Sequence, residues 1–254
     1  MPGTGDHTLS NALASLWAWA WIAAILVVGF FVELALFAVT RPFDPLLRAP
    51  GRCWRLMNVL AARLNPLWSF RVDERGGPPP APSRPTVVVV NHASMSDVLL
   101  LAHLPWEMKW LGKQANFQIP FAGWCMWLAG HVAVRRGDRA SGEAAMAACA
   151  RWLGSGVPVL IFPEGTRSED GALQELKDGA FRLAIDAGAD MLPCWIEGTR
   201  AALPKGTWLF GRARATVSVG RALGSAGRTV EALKAEVRTE LLRLRAAAGG
   251  AGTR

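Results

Sequence analysis

The stretch Asn91-His92-Ala93-Ser94-Met95-Ser96-Asp97 sets an imidazole and a carboxylate five positions apart. An imidazole can take a proton from a hydroxyl as a general base. A carboxylate on its second ring nitrogen fixes the tautomer and stabilises the imidazolium that forms. Five helical steps of about 100° leave the two side chains some 140° apart. They meet only if a turn lies between them, with Ser96 or Asp97 near a helix start. On spacing alone the pair serves either catalysis or loop structure. A second group, Pro163-Glu164-Gly165-Thr166-Arg167-Ser168, joins a turn glycine, a hydroxyl and a guanidinium. Backbone N–H groups, Thr166 and Arg167 suit a phosphate, to which arginine offers a two-pronged fork. A third, Gly130-His131-Val132-Ala133-Val134-Arg135-Arg136, ends an apolar stretch on two cations. These read as a solvated charge pair or a membrane-surface contact.

Strands must present such groups. Thr86–Val90 reads TVVVV, a β-branched run that stops directly before Asn91, and Val157–Phe162 stops directly before Pro163. Met191–Glu197 and Ala215–Gly220 read as further strands. Helical stretches fall at Asp97–Leu104, Ser141–Leu153, Leu176–Ala187 and Thr229–Ala247. The alternation predicts an α/β fold, a mainly parallel sheet flanked by helices. Ligands bind such sheets at the carboxyl ends of the strands, where the first two motifs fall.

Ala12–Val32 carries no charge over 21 residues, about 31 Å of helix, enough to cross a hydrocarbon core. Glu33 interrupts it and Leu34–Val39 resumes it, while Trp17, Trp19 and Trp21 suit a water–lipid boundary. Asp6 precedes the run with no Lys or Arg, and Arg41, Arg48, Arg52, Arg55 and Arg63 follow it against Asp44. This predicts a membrane anchor with the bulk of the chain on the cytoplasmic side, and fits a cleaved signal peptide poorly. In Arg52–Leu64 a helical reading puts Arg52, Arg55 and Arg63 on one side. Cys53, Trp54, Met57, Leu60, Ala61 and Leu64 take the other. Such a helix lies in a headgroup layer or packs on the main domain. A hairpin of the two segments in one leaflet would be monotopic, a single helix across the bilayer spanning.

The chain of 254 residues carries 28 Lys+Arg against 20 Asp+Glu, a net charge of +8, and is 51% hydrophobic with 12 Trp and no Tyr. That apolar content excludes a disordered or fibrous chain. A positive mean hydropathy of +0.21 beside a positive charge points to an anionic membrane and a lipidic substrate. Nucleic acid is disfavoured: the basic residues are spread along the chain, and no G-x-x-x-x-G-K motif or aromatic RNA-reading pattern occurs. Cys53, Cys125, Cys149 and Cys194 lie far apart, which argues against a zinc site or disulfide framework and for reduced, buried thiols. Phe121–Val134 is a wall of a hydrophobic tunnel, a patch dipping into the bilayer, or core.

The first motif, Asn91-His92-x-x-x-x-Asp97, taken with Phe162-Pro163-Glu164-Gly165-Thr166-Arg167-Ser168, strongly resembles the glycerolipid acyltransferase family, most closely its bacterial 1-acyl-glycerol-3-phosphate acyltransferases. Lys113 through Ile119-Pro120-Phe121-Ala122-Gly123-Trp124 and Leu128-Ala129-Gly130 to Arg136 resembles the family's second block. Leu192-Pro193 with Gly198-Thr199 resembles its fourth, and Leu176-Lys177-x-Gly179-Ala180-Phe181 its Lys-Gly step. The match covers Thr86 to Gly220. It implies that His92 is the general base, oriented by Asp97, and that the alkoxide attacks an acyl thioester directly. No acyl-enzyme is then needed, in keeping with the absence of a G-x-S-x-G elbow. By the same resemblance Glu164, Gly165, Thr166 and Arg167 hold the glycerol phosphate of lysophosphatidic acid, and Arg136 neutralises it. No metal and no cofactor are implied beyond acyl-CoA or acyl-carrier protein as co-substrate. The setting is the bacterial inner membrane, with phosphatidic acid as product. Alternatives are acylation of another lyso-lipid, such as lyso-ornithine lipid, or a non-catalytic membrane lipid-binding protein. Arg135 stands where the family commonly has Asp, Leu176 where it has an aromatic, and His131 is unusual; these bear on the headgroup.

The resulting organisation is a membrane anchor with an interfacial helix over 1–70, a Gly/Pro-rich linker over 71–84, an acyltransferase domain over 85–245 and a flexible tail over 246–254.

Overall fold

The computed structural model describes residues 4–74, 79–204 and 206–249, with side chains from residue 10 onward. Seven strands form one sheet: β1 (Trp68–Val72), β2 (Thr86–Val90), β3 (Lys109–Lys113), β4 (Val132–Val134), β5 (Val159–Ile161), β6 (Asp190–Glu197) and β7 (Ala213–Val219). Their order is β1-β7-β6-β2-β5-β3-β4, parallel throughout except between β6 and β7. The helices are α1 (Thr4–Thr40), α2 (Arg48–Arg63), α3 (Asp97–Leu101), α4 (Ala122–Leu128), α5 (Arg139–Gly154), α6 (Gly179–Asp186) and α7 (Val230–Gly249). The expected mainly parallel α/β fold is present.

The TVVVV run shows why the sheet is covered on both sides. Val87 and Val89 pack with α5, α6 and α7, while Val88 and Val90 pack with Leu100, Leu101 and Leu104 on the opposite face. β5 and β6 alternate the same way, with Val159, Ile161, Met191 and Trp195 on the first face and Leu160, Leu192, Cys194 and Ile196 on the second. The register sets Val89 opposite Ile161, and Val90 opposite Cys194. The carboxyl ends of the three central strands therefore lie side by side.

Three strands escaped the hydrophobic pattern. β1 lies across the boundary drawn at residue 70 and pairs along its whole length with β7, from Trp68 opposite Ala213 to Val72 opposite Val217. β3 opens on Lys109, a buried cation whose Nζ donates to the carbonyls of Leu47 (3.0 Å) and Ala129 (2.8 Å). Burial pulls its pKa down to about 8. β4 has only three residues. In turn, Val157–Phe162 shrinks to β5: Pro158 has no N–H for a ladder, and its carbonyl accepts the Lys109 N–H at 2.8 Å. Of the linker, residues 79–84 form neither helix nor strand, and 75–78 lie outside the described residues, as do tail residues 250–254. α7 runs on to Gly249, into the stretch expected to be flexible.

α1 is long and apolar enough over Ser10–Thr40 to cross a membrane. One face of it nevertheless rests on the α/β domain. Ser15 Oγ accepts the Phe210 N–H (2.8 Å), Trp19 Nε1 donates to the Trp208 carbonyl (2.8 Å), and Phe30 meets Phe121 and Trp124. Gly29 lets Met57 of α2 come close, and Glu33 is fully buried, its carboxyl beside Cys125 of α4. On α2, Trp54, Met57 and Ala61 pack inward as expected, but Leu60 is exposed and Arg55 turns in to Glu107 (3.1 Å). That partner is distant in sequence, so helical spacing alone could not place it. The stretch Phe121–Val134 divides its roles: Cys125 and Ala129 are core, whereas Trp124 and Trp127 are exposed.

β6 ends at Gly198, whose φ of +87° admits glycine without strain, and a Cβ there would collide with the Arg214 carbonyl on β7. Gly198→Ala is expected to destabilise the fold by about 1–3 kcal/mol. Thermal unfolding checks this through a lowered Tm.

Candidate active site

Asn91 closes β2 and ties it to β6: its Nδ2 donates to the Ile196 carbonyl (2.9 Å) and its Oδ1 accepts the Ile196 N–H (2.7 Å). The chain then turns over Ser94–Asp97, with the Asp97 N–H donating to the Ser94 carbonyl, and α3 begins at Asp97. This is the turn that the five-residue spacing required. His92 Nδ1 lies 2.7 Å from Asp97 Oδ2. The same oxygen accepts the N–H groups of Ala93 (2.8 Å) and Ser94 (3.0 Å), and Asp97 is 0% exposed. An oxygen that takes two backbone donors acts as an acceptor toward the ring as well. Nδ1 therefore carries the proton, and the lone pair of His92 sits on Nε2. The ring stacks on Phe162 (4.0 Å between centroids), and its Nε2 has no hydrogen-bond partner among the described residues.

Glu164 is 3% exposed and acts as a brace. One carboxylate oxygen accepts the His92 N–H (2.8 Å) and the other the Gln174 N–H (3.0 Å). The Ser168 N–H donates back to the His92 carbonyl (2.8 Å), so the loops after β2 and β5 clasp each other. Burial raises the pKa of Glu164, and the two backbone donors oppose that rise. Expected among the phosphate ligands, Glu164 offers its oxygens to the protein's own backbone. Gly165 adopts φ +69° and donates its N–H to the Phe162 carbonyl, which leaves the N–H groups of Thr166 and Arg167 with no partner among the described residues.

The two neighbouring arginines after β4 separate in role. Arg135 is exposed and engaged, its Nε donating to Gln114 and its Nη1 lying 3.5 Å from Asp138. Arg136 is exposed as well but lies within electrostatic reach of Arg167; partial desolvation and that like charge lower its pKa from the ordinary guanidinium value. Neither Arg136 nor Arg167 has an acidic partner among the described residues. Two such cations with no anion between them favour binding one. His131, unusual against the family pattern, is core: its Nδ1 accepts the Trp110 N–H, and burial holds its pKa well below the ordinary imidazole value.

Two residues without an assigned role join the site. The Lys177 side chain lies across Gly165, where a Cβ would stand 2.7 Å from its Nζ. The Lys-Gly step singled out in the sequence was the signal for it. Arg200, after β6, lines a polar cleft of about 800 Å³ with Ala93, Thr166, Arg167 and Ser168. It lies beyond Gly198-Thr199 in a three-residue 3-10 turn, and only the register of β6 against β2 brings it near His92. Among the described residues, no cluster of three or more His, Cys, Asp or Glu could hold a metal ion.

Asp97→Asn is expected to lower turnover by about 10²–10⁴ with little change in substrate KM, because the amide cannot hold the Nδ1–H tautomer against two backbone donors. Glu164→Gln is expected to lower both Tm and kcat, since an amide can accept at one end only. Steady-state kinetics paired with unfolding curves separate the two effects.

Comparison with known proteins points to the same part of the chain. Residues 73–197 match the family model described as Acyltransferase. A 1-acyl-sn-glycerol-3-phosphate acyltransferase of Chlamydomonas reinhardtii is 38% identical over 184 residues, 70% of this chain and 55% of that protein. One from Salmonella typhimurium is 31% identical over 140 residues, 54% of this chain and 57% of the relative. The chain thus spans a little over half the length of these relatives. The crystal structure of the 1-acyl-sn-glycerophosphate (LPA) acyltransferase PlsC from Thermotoga maritima superposes with a TM-score of 0.75. It covers 97% of this chain and 98% of that one at 22% identity, a likeness of fold. The His92–Asp97 pair and the Glu164–Arg167 turn both lie inside the matched span, and residues 73–197 form a domain of the acyltransferase family.

Proposed function

We propose that the chain moves a fatty acyl group from a thioester donor, acyl-CoA or acyl-carrier protein, to the free hydroxyl of 1-acyl-glycerol-3-phosphate, giving phosphatidic acid. One observation carries this reading: a His92 whose Nε2 is unpartnered, held by Asp97, beside the cations Arg136 and Arg167. His92 Nε2 takes the proton of the acceptor hydroxyl as its oxygen attacks the thioester carbon. The C–O bond forms, the C–S bond breaks, and the imidazolium returns the proton to the departing thiolate. Asp97 keeps the ring oriented and stabilises its charged form. Arg136, Arg167 and the N–H groups of Thr166 and Arg167 receive the phosphate, while Glu164 acts behind them by fixing the His92 backbone.

The same reading includes where the enzyme sits. From Ser15 to Glu33, about 27 Å of α1 touches the α/β domain along one face. A helix crossing a bilayer needs some 30 Å of its length in hydrocarbon. α1 therefore lies along one leaflet with Trp17, Trp21, Phe31 and Val39 outward, and the arginines after it hold the protein to the cytoplasmic surface.

Purified protein with labelled long-chain acyl donors is expected to acylate lysophosphatidic acid, and His92→Ala to reduce this by 10² or more. Arg136→Ala is expected to raise the acceptor KM more than it lowers kcat. Undiminished activity of the His92 variant would sink the mechanism, and transfer to ornithine-type acceptors alone would replace the acceptor. Membrane placement is checked by labelling engineered cysteines at positions 10 and 249 in sealed vesicles. Both are expected to react from the same side, and opposite sides would establish a spanning helix.

A further inference from the structure

Direct transfer requires both substrates to be bound at once, each close enough to His92 to react. The phosphate of the acceptor is accounted for by Arg136 and Arg167, on the side of His92 where β5 and β4 end. The donor needs a second, polar approach to the same imidazole. Among the described residues four cavities stand out. One is an apolar groove between α1 and α2, and one is a small void around His131 and Trp106. A third lies by Pro105, Val157 and Pro158, at the amino-terminal end of β5 and so away from His92. Only the fourth, of about 800 Å³, reaches the His92 loop, through Ala93; Thr166 and Arg167 form the wall it shares with the acceptor's phosphate site, and Arg200 stands on its opposite, β6 side.

The lining of that cleft has a consistent charge logic. It carries two acids, Glu169 and Glu197, and two cations, Arg167 and Arg200. Both acids are already engaged: Glu197 accepts the Trp195 Nε1–H at 3.0 Å, and Glu169 has a partner of its own. Arg200 makes no hydrogen bond or ion pair through its side chain among the described residues. Its Nη1 stands near Gly171, and Asp170, held by Ser168 and the Ala172 N–H, is the acid close enough to feel its charge. Arg200 is also firmly placed. The 3-10 turn that carries it hangs from Gly198, and the Thr199 carbonyl accepts the Ser96 hydroxyl (3.2 Å), one residue before Asp97. A cation anchored to the turn that positions the base, on the far side of His92 from Arg136, is where a second anionic substrate would be held.

We propose that this cleft is the donor subsite: Arg200 binds the phosphate at the end of the pantetheine arm, and the arm runs past Thr166 and Ala93 to bring the thioester to His92. The assignment rests on the acyltransferase reading and names the chemistry that acyl-CoA and acyl-carrier protein share, a 4′-phosphopantetheine thioester. Arg200 sits at the substrate's far end from the reacting carbon, so its contribution is to binding and not to the chemical step.

The test compares the full chain with Arg200→Gln using acyl-pantetheine, acyl-4′-phosphopantetheine, acyl-CoA and acyl-carrier protein at saturating lysophosphatidic acid. Binding of CoA alone is followed by equilibrium dialysis. Arg200→Gln is expected to raise KM about tenfold or more for the three phosphorylated donors and to weaken CoA binding by a like factor. KM for acyl-pantetheine, KM for lysophosphatidic acid and kcat are expected to be unchanged. Arg200→Lys is expected to restore part of the loss. Unaltered donor KM and CoA binding would overturn the proposal. So would a raised acceptor KM, which would give the cleft to the lipid headgroup, or an effect confined to acyl-CoA, which would move Arg200 to the nucleotide phosphates. If the wild type binds CoA through Arg200 yet acylates no lysophosphatidic acid, the acceptor reading fails and the donor subsite stands. If it acylates lysophosphatidic acid with Arg200→Gln unimpaired, the reverse holds.

Discussion

The Glu164 carboxylate divides its two oxygens between the backbone of His92 and that of Gln174, and the rest of the site depends on that division. A buried carboxylate costs several kcal/mol unless it is hydrogen-bonded, so these two N–H groups are required as much as they are held. The loops after β2 and β5 then close on each other through Ser168 and the His92 carbonyl. With the backbone of His92 fixed, its ring has one place to go: flat against Phe162, with Nδ1 on Asp97. Asp97 is in turn the first residue of α3 and collects two further backbone donors of the same turn. The orientation of the imidazole thus follows from two carboxylates, Glu164 and Asp97, each tied to the main chain of the two loops.

Much of this was legible in the sequence, for physical reasons that differ by residue. TVVVV and VPVLIF announced β2 and β5 because strands covered on both faces lose the polar alternation and become plain apolar runs. The need for a turn between His92 and Asp97 followed from helix geometry alone. Other features could not be read locally. β3 begins with Lys109, a charge whose burial makes sense only once Leu47 and Ala129 bring their carbonyls to it. Arg55 belonged to the polar side of α2 until Glu107, 52 positions later, drew it inward. Glu164 resembled a ligand because it sits in a ligand-binding motif, and only its two long-range backbone partners show it to be a brace.

The charge that marked the chain from the outset is also resolved into places. Several cations are paired locally, as Arg139 is with Glu143 and Arg243 with Glu240. Arg135, next to Arg136 in sequence, is satisfied by Asp138 and Gln114. Around the carboxyl ends of β4, β5 and β6, by contrast, Arg136, Arg167 and Arg200 form no direct ion pair among the described residues, although Glu169, Asp170 and Glu197 lie near the last two. A substitution of Asp by Arg at position 135 therefore changes the protein's surface and leaves Arg136 and Arg167 as they were.

The way α1 rests on the domain has one more consequence. It touches the Trp208–Phe210 segment at one end and α4 at the other, and its outer side is left apolar, with Trp17, Trp21, Phe31 and Val39 exposed. Pulling a lipid chain out of a leaflet costs about 0.8 kcal/mol for each CH₂ brought into water, which for a long chain exceeds the binding energy of a few polar contacts. On the placement proposed above, an acceptor that reached His92 sideways from the leaflet would not incur that cost. Its search would be confined to two dimensions, and the concentration that matters would be its mole fraction in the lipid, not its vanishing solubility in water.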